Sequence, residues 1–277
     1  MLGILLKQPR APWVGYGLVL PLVSCVRFAS DLDVLESERS GLDPARPAVA
    51  GKDWSCTPGT TSPAAQGSAL QLGLSAVDFV TAAPVEGLRV RACFRADVDC
   101  ANPLSDQVAP ADDGRIQVSA EPGFNGYLEL QAPGMLPTLL FFSAPWSSQL
   151  LAQLERTPAR LLPLSTLQAL GNTARIQLDP AGGVLGMYVY DCAGTAAPGV
   201  RLELDTAAVP YTFVDELPVV DQDVTSQQGL AGFVNVPPGV VVVSSFAEGH
   251  RAPLSVESLL VRSGWLSSMS LLPGSSR

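Results

Sequence analysis

The clearest alternation of hydrophobic and polar positions lies within residues 229–246. Asn235 separates Val234 from Val236, so the two valines are predicted to share the buried face of a strand while Asn235 points away. Pro238-Gly239 is typical of a turn. The run of valines that follows is apolar on both faces, as in a central strand. The stretch therefore predicts a hairpin of two strands.

Residues 112–130 repeat the same order of features. Their strand predicts a buried Val118 beside an exposed Gln117. Four glycines of this region recur further along the chain at offsets of 112, 115, 116 and 115 residues, namely Gly87 and Gly199, Gly114 and Gly229, Gly123 and Gly239, and Gly134 and Gly249. Nearly constant offsets predict a duplicated structural unit.

Other segments predict further strands in each of the two copies. Alternating apolar residues predict strands near 70–74, 88–92, 187–190 and 200–204. The alternation slips near Ser75–Ala76, which predicts a bulge or a break there.

Between the copies the pattern changes to a helical one. Ser147 or Ser148 can cap a helix that carries Leu150, Leu151 and Leu154 on one stripe. Residues 164–170 allow a second helical turn, closed by Gly171. These residues are predicted to connect two domains.

The predicted fold class is all-β, with two tandem antiparallel β-sandwich domains. The predicted boundaries are a leader at 1–24, a flexible tether at 25–53, a first domain at 54–145, a helical connector at 146–174 and a second domain at 175–277. Two domains joined in this way should unfold semi-independently.

The composition argues against several classes of function. The chain has 277 residues, 47% of them hydrophobic, with 25 Gly and 24 Pro spread among short predicted strands. Its formal net charge of −9 and the lack of a clustered basic face argue against nucleic-acid binding. A single histidine, His250, excludes a multi-histidine metal site within one chain. We expect no cofactor.

The N-terminus has the pattern of an export signal. Lys7 and Arg10 precede an apolar run over 11–24 that is too short to span a bilayer. The run ends in Leu22-Val23-Ser24-Cys25, which resembles the lipobox of bacterial lipoproteins. The resemblance implies that Cys25 receives a diacylglyceryl group and becomes the first residue after cleavage. The alternative is an uncleaved apolar N-terminus with an incidental cysteine.

A lipidated Cys25 predicts a membrane-anchored protein of the cell envelope. Val26 follows that cysteine where the resembling lipoproteins that stay in the inner membrane carry aspartate. The resemblance therefore favours the outer membrane, with the periplasmic and the outer surface both left open.

The turn pattern also resembles a known family. In each copy a Pro-x-x-Gly or Pro-Gly-Val turn, at Pro84 and Pro198, leads into a strand. A glycine, a second strand, Pro-Gly and a further apolar strand follow. This order is similar to that of carboxypeptidase regulatory-like domains, which are transthyretin-like β-sandwiches, and it covers about residues 70–143 and 176–272. The resemblance implies rigid accessory or ligand-binding modules. Phe124-Asn-Gly126 is an insertion relative to the pattern.

Four cysteines remain after Cys25. An even number in an exported chain predicts two disulfides, with three connectivities open. Cys93 and Cys100 close a short loop and form the favoured pair, which leaves Cys56 with Cys192. Zinc is the alternative, but no CxxC pair is present.

No combination of residues predicts a catalytic site. His250 lies in a predicted turn, and no serine lies in a Gly-x-Ser-x-Gly motif. Asp221 and Asp223 are candidate calcium ligands, with a solvated acidic loop as the alternative. Aromatic residues at 188–190 and 211–213 are either a sugar or peptide platform or strand packing.

The function predicted from the sequence is a non-catalytic, lipid-anchored envelope protein that binds an envelope protein or a polysaccharide, or has a structural role. A secreted hydrolase or hydrolase accessory subunit is the alternative, with acidic loop residues such as those at 97–99 and 112–113 as catalysts. Two carboxylates that converge in a deep pocket, one with a raised pKa, would favour the hydrolase.

Overall fold

The β-strands carry almost all of the regular structure. The computed structural model describes residues 52–56, 69–109, 115–121, 123–143, 145–146, 151, 155, 157–215, 217–220 and 222–274. The strands are β1 Leu70–Asp78, β2 Arg89–Phe94, β3 Ser105–Val108, β4 Arg115–Ala120, β5 Gly126–Gln131, β6 Thr138–Phe141, β7 Ala159–Leu161, β8 Gly183–Val189, β9 Arg201–Leu204, β10 Val209–Val214, β11 Leu217–Val220, β12 Leu230–Val236, β13 Gly239–Phe246, β14 Ser255–Val261 and β15 Leu266–Leu271; a helix, α1, spans Leu164–Thr173.

The strands form three sheets. A nine-stranded sheet has the order β11-β10-β12-β8-β15-β6-β5-β2-β3, and two smaller sheets have the orders β4-β1-β7 and β14-β13-β9. Pairing is antiparallel except for β1 with β7, β6 with β15, and β8 with β15. The predicted β class and sandwich-like layering are confirmed at this level.

Six strands of each half have the same order, whereas β3 of the first half has no counterpart in the second. In the first half, residues 69–161, the sheet β4-β1-β7 packs on β6-β5-β2-β3; in the second half, residues 183–274, β12-β8-β15 packs on β14-β13-β9. In each half the first strand pairs antiparallel with one neighbour and parallel with the other. The duplication predicted from the glycine offsets is therefore visible in the topology.

The halves are joined through one sheet. Parallel pairing of β6 with β15 makes the nine-stranded sheet continuous from the first half to the second. All fifteen strands belong to one compact unit, residues 46–277. Within this sheet, the halves are thus joined by a row of backbone hydrogen bonds.

The two small sheets cover opposite faces of this central sheet. Residues that are paired across neighbouring strands point to the same face of a sheet. The strand register therefore assigns each row of paired residues to one face. One row contributes Ala92 and Leu128 to the core of the first half. The adjacent row contributes Cys93, Tyr127 and Phe141 to the core of the second half. Part of the first half is thereby buried by the second.

The predicted hairpin within 229–246 is wrong. Strand β12 pairs with β8 and β10, whereas β13 pairs with β9 and β14, so the turn carries the chain from one sheet to the other. Pro237 and Pro238 lack the N–H groups that would close a tight hairpin. The matching strands β4 and β5 also lie in different sheets.

Asn235, predicted only to point away from the core, has a structural role of its own. Val234 and Val236 are buried as predicted, but the register shifts between them and Asn235 adopts a φ of 58°. Its side chain accepts a hydrogen bond from the Asp179 N–H (2.8 Å) and donates one to the Gln177 carbonyl (2.9 Å). The bulge therefore fixes the segment that enters β8.

Two other local predictions also need correction. The burial of β1 alternates without a break through Ala76, and what changes after Ser75 is the partner, from β4 to β7. Helix α1 does not end at Gly171, which is buried where a Cβ would approach Leu178 within 3.1 Å. It ends at Thr173, and Arg175, with a φ of 56°, completes a Schellman-type cap beyond it.

The connector predicted at 146–174 includes a strand as well as a helix. Residues 159–161 form β7 and join the small sheet of the first half. Trp146 packs in the core of that half against Phe124 and Phe142. Leu150 and Leu154 of the first predicted helix lie outside the described residues.

Burial in β4 generates a direct test of the strand register. Val118 is fully buried and Gln117 is exposed. We expect Val118→Asp to lower the free energy of unfolding by several kcal/mol, because it buries an unpaired carboxylate, and Gln117→Asp to change it by less than about 0.5 kcal/mol. Urea unfolding measures both, and equal losses would contradict the register.

Asn235→Asp should lower the free energy of unfolding by about 1–3 kcal/mol, because the new side chain cannot donate a hydrogen bond to the Gln177 carbonyl. Urea unfolding measures this loss as well.

Candidate functional site

The described cysteines form two disulfides. Cys93 bonds to Cys100 and Cys56 to Cys192, with Cα–Cα distances of 5.4 and 5.8 Å. These are the two pairs favoured by the sequence. Cys93 and Cys100 are fully buried within the core of the second half, although both belong to the first half. The short disulfide loop is therefore part of the contact between the halves.

Hydrogen bonds hold the loop 94–100 in place. The Asp97 carboxylate accepts from the N–H groups of Ala101 and Asn102 (2.9 Å each), which lowers its pKa. The Tyr127 hydroxyl donates to the Asp97 carbonyl (2.5 Å). Arg262, from the second half, donates to the Val98 carbonyl (2.6 Å). The loop thus receives donors from both halves.

Glu129 lies at the centre of this contact. It is on β5, and its side chain is fully buried. Arg91 on the neighbouring strand donates to Oε2 at 2.9 Å, and Arg262 donates to Oε1 at 2.5 Å. A second nitrogen of Arg91 donates to the Cys100 carbonyl. One buried carboxylate therefore binds a guanidinium from each half.

A second ion pair runs in the opposite direction. Glu257 on β14 is fully buried, and Oε2 lies 3.8 Å from Nη2 of Arg95, which follows β2. In the first pair the carboxylate comes from the first half and the bridging arginine from the second, whereas here the origins are exchanged. We call Glu129, Arg262, Arg95 and Glu257 the ion-pair junction.

Aromatic rings surround these charges. Arg262 lies over the rings of Tyr127 and Trp265, at 5.8 and 5.0 Å from their centroids, and Arg95 lies over Phe141 at 5.9 Å. Burial raises the pKa of Tyr127 to about 12. Buried charges are costly unless paired, so the junction is stable only with its partners in place.

A group of residues with metal-ligand chemistry shares Glu129 with the junction. Among the residues that the structure describes, the ligand atoms of Cys93, Cys100 and Glu129 lie within 4.8 Å of one another. Both sulfurs are in the disulfide, and both Glu129 oxygens accept from arginines. In this state the group is a cross-link beside an ion pair, and the zinc alternative has no free thiolates here.

Residues 52–56, which we call the N-terminal strap, bind the second half. Cys56 is bonded to Cys192, and the Cys192 N–H donates to the Asp53 carbonyl (2.8 Å). Trp54 packs against the core of the second half. The sequence assigned Trp54 and Cys56 to the start of the first domain, but in the structure they contact the other half.

Asp191 organises the receiving loop. Its carboxylate is buried and accepts from Ala193 and Thr195 (N–H at 3.0 and 2.8 Å, Thr195 Oγ1 at 2.6 Å), with Lys52 Nζ at 3.9 Å. Burial raises its pKa, but the bonds from Thr195 and the charge of Lys52 outweigh this and leave the pKa lowered. The Asp191 carboxylate therefore stabilises the loop to which the strap binds.

The other predicted site residues do not converge among the described residues. His250 is exposed in the turn after β13. Asp223 is half-buried, and its carbonyl accepts from the Leu202 N–H. Cys25, Asp112, Asp113 and the calcium candidate Asp221 lie outside the described residues. The bonds from the Asn102 and Ala101 N–H groups lower the pKa of Asp97, a candidate of the hydrolase alternative, which is the opposite of what a general acid needs.

The aromatic residues at 188–190 and 211–213 point to one face of the central sheet. Tyr211 contacts Phe213 edge-on at 5.8 Å, and its hydroxyl donates to the Leu185 carbonyl (2.9 Å). A Cβ on Gly232 would come within 2.7 Å of that hydroxyl. Burial raises the pKa of Tyr188 and of Tyr211. Tyr211 and Phe213 therefore pack as strand residues.

Sequence reasoning missed the ion-pair junction. The available signal was a lone charge inside an apolar strand, as at Glu129 in Tyr-Leu-Glu-Leu and at Glu257 in Val-Glu-Ser-Leu. A charge at such a position is buried only when paired. The pattern identifies the carboxylates, but it cannot identify an arginine 133 residues away.

Comparisons with known proteins identify no family. No protein-family model and no curated protein matches the sequence. Structurally similar chains include the Bacillus anthracis TIE protein (9% identity, TM-score 0.24, 74% of this chain and 34% of that one). They also include shaft pilin SpaA from Lactobacillus rhamnosus GG (8%, 0.24, 74% and 98%) and the Streptococcus agalactiae minor pilin GBS52 (10%, 0.25, 73% and 94%). At these TM-scores the likenesses carry no argument about function.

No described helix is long and apolar enough to cross a membrane. The described helix α1 has 10 residues, about half the length that a bilayer span requires.

The junction predicts a large energetic contrast between two glutamates. Glu129→Gln leaves two arginines around a neutral amide and should lower the free energy of unfolding by about 3–5 kcal/mol. Glu86→Gln, in an exposed turn, should change it by less than about 0.5 kcal/mol. Urea unfolding measures both, and a double-mutant cycle with Arg262→Gln should show strong coupling. Additive, small effects would mean that the contact is incidental.

Tyr127 predicts a late step in alkaline titration. Its raised pKa means that its contribution to stability is present below pH 10 and is lost as the pH rises through about 12. We expect absorbance at 295 nm to show tyrosinate forming late in the folded protein, with one late-ionising group fewer in Tyr127→Phe. Loss of an early-ionising group from that variant would show that Tyr127 is solvated.

Proposed function

We propose that this chain is a non-catalytic, lipid-anchored protein of the cell envelope, whose paired β-sandwich halves bind an envelope polymer or have a structural role. Cys25 carries the anchor in this proposal, the leader is residues 1–24 and the tether begins at residue 25. The outer membrane is the proposed location. Each half corresponds to one carboxypeptidase regulatory-like, transthyretin-like module of the proposed two-module arrangement.

The observation that supports the proposal best is the use that the fold makes of its buried charged groups. Glu129 and Glu257 bind arginines across the contact between the halves, and Asp191 binds the strap. These groups hold two halves and a tether attachment together, as a rigid presenting or binding module requires. The hydrolase alternative needs such carboxylates to be available to a substrate.

The strap adds a second line of support. A disulfide and backbone hydrogen bonds fix residues 52–56 to the second half. The residues that follow the proposed tether are therefore fixed to the second half. Such attachment suits a protein that is held at its N-terminal end.

Fatty-acid labelling tests the anchor. Cells that express the full chain are grown with radiolabelled palmitate, and we expect label in the wild-type protein and none in Cys25→Ser. The control Val26→Ala alters the next residue without removing the thiol and should keep the label. Label retained in Cys25→Ser, or absent from the wild-type protein, would refute the anchor.

A further inference from the structure

A groove is lined by residues of two turns, one from each half. In the first turn, residues 132–135, the Met135 N–H donates to the Ala132 carbonyl, and Gly134 has a φ of 74°. In the second, residues 262–265, the Trp265 N–H donates to the Arg262 carbonyl, and Gly264 has a φ of 70°. Both are β-turns that require a left-handed residue at the third position, which glycine supplies.

The groove has a volume of about 390 Å³, within the usual range of small-molecule sites. Its apolar lining includes Trp265, Met135 and the rings of Pro133 and Pro137, and its polar lining includes Arg89 and Gln131. Arg262 covers one side of the Trp265 ring and is itself fixed by Glu129, so the indole is held in position. The ion-pair junction therefore holds one wall of the groove in place before a ligand binds.

The charge of the groove is balanced. Arg89 donates from Nε and Nη2 to the two oxygens of Asp106 at 2.8 and 2.5 Å. A bidentate pair of this kind leaves little positive charge for an anionic ligand. The Gln131 amide makes no hydrogen bond to another described residue, so it is available to a ligand. The chemistry favours a neutral, hydroxyl-bearing partner with an apolar face.

The position of the groove also favours a binding role, because the groove lies at the opposite end of the central strands from the strap. Strands β6, β8 and β15 are parallel. The strap and Pro273 lie beyond their C-terminal ends, because Cys56 is bonded to Cys192 and its sulfur lies 3.9 Å from the Pro273 carbonyl. The groove lies at their N-terminal ends, beside Pro137 and Trp265. About 16 Å of strand therefore separates the attached end from the groove.

We propose that this groove binds a neutral sugar unit of a polysaccharide. The apolar face of a pyranose ring stacks on Trp265 and the adjacent proline and methionine side chains, and its hydroxyls bond to Gln131 and to the remaining nitrogen of Arg89. This inference rests on the proposed function, since a protein held by its strap presents the groove on the opposite side. It names the class of ligand for that binding role.

Calorimetric titration of the full-length protein tests the proposal. The probes are cellohexaose, maltohexaose and the hexamer of N-acetylglucosamine, with hexagalacturonate as an anionic comparison and decaproline as a peptide comparison. We expect saturable binding of at least one neutral hexamer and none of the two comparison probes. No saturable heat with any neutral hexamer, or tighter binding of either comparison probe, would overturn the proposal.

Variants locate the site. Trp265→Leu removes the ring, and Gln131→Leu removes the amide while keeping a similar shape, so each should weaken binding at least tenfold. Phe94→Leu alters an exposed aromatic residue at the attached end of the strands and should leave binding unchanged. Because Trp265 also contacts Arg262, the Gln131 variant decides the result if Trp265→Leu does not fold. Unchanged binding in Gln131→Leu would overturn the proposal.

The two proposals fail independently. Binding is measured without reference to the lipid, so failed labelling of Cys25 together with binding at the groove would refute the anchor and support the sugar site. Normal labelling of Cys25 without binding would refute the sugar site and leave the anchored envelope role in place.

Discussion

The burial of charge between the two halves is the constraint on which the rest of the structure depends. A carboxylate on β5 has no access to water, so its burial is tolerable only because Arg91 and Arg262 reach it. Arg262 in turn fixes the disulfide loop through Val98 and stacks on Trp265. A second pair, Arg95 with Glu257, spans the contact in the reverse sense. One of the two guanidinium groups around Glu129, and the guanidinium beside Glu257, therefore come from the opposite half.

This dependence explains why the halves share a sheet and a core. Pairing of β6 with β15 leaves one face of the first half to be covered by the second, and the buried disulfide and Tyr127 lie in that shared layer. The chain thereby becomes one unit with the strap at one end of the central strands and the groove at the other. In the proposed function, this rigidity lets an anchor at one end hold a binding surface at the other.

Local patterns made much of the fold predictable. Period-two burial at Leu72, Leu74 and Val118, the repeated glycines and the two disulfides follow from side-chain alternation, turn chemistry and loop length. What the sequence could not supply is which strands pair. The hairpin prediction failed because a Pro-Gly turn also suits a crossing between sheets, and the parallel joint of β6 with β15 depends on residues more than 120 positions apart. The groove was unpredictable for the same reason.

Cooperativity of unfolding shows directly whether the two halves depend on each other for stability. The sequence alone suggested two semi-independent domains, whereas shared charges and a shared sheet require the halves to unfold together. Differential scanning calorimetry of the oxidised full-length protein compares the calorimetric enthalpy with the van't Hoff enthalpy. We expect one transition with equal enthalpies. Two resolved transitions, or a calorimetric enthalpy well above the van't Hoff value, would contradict it.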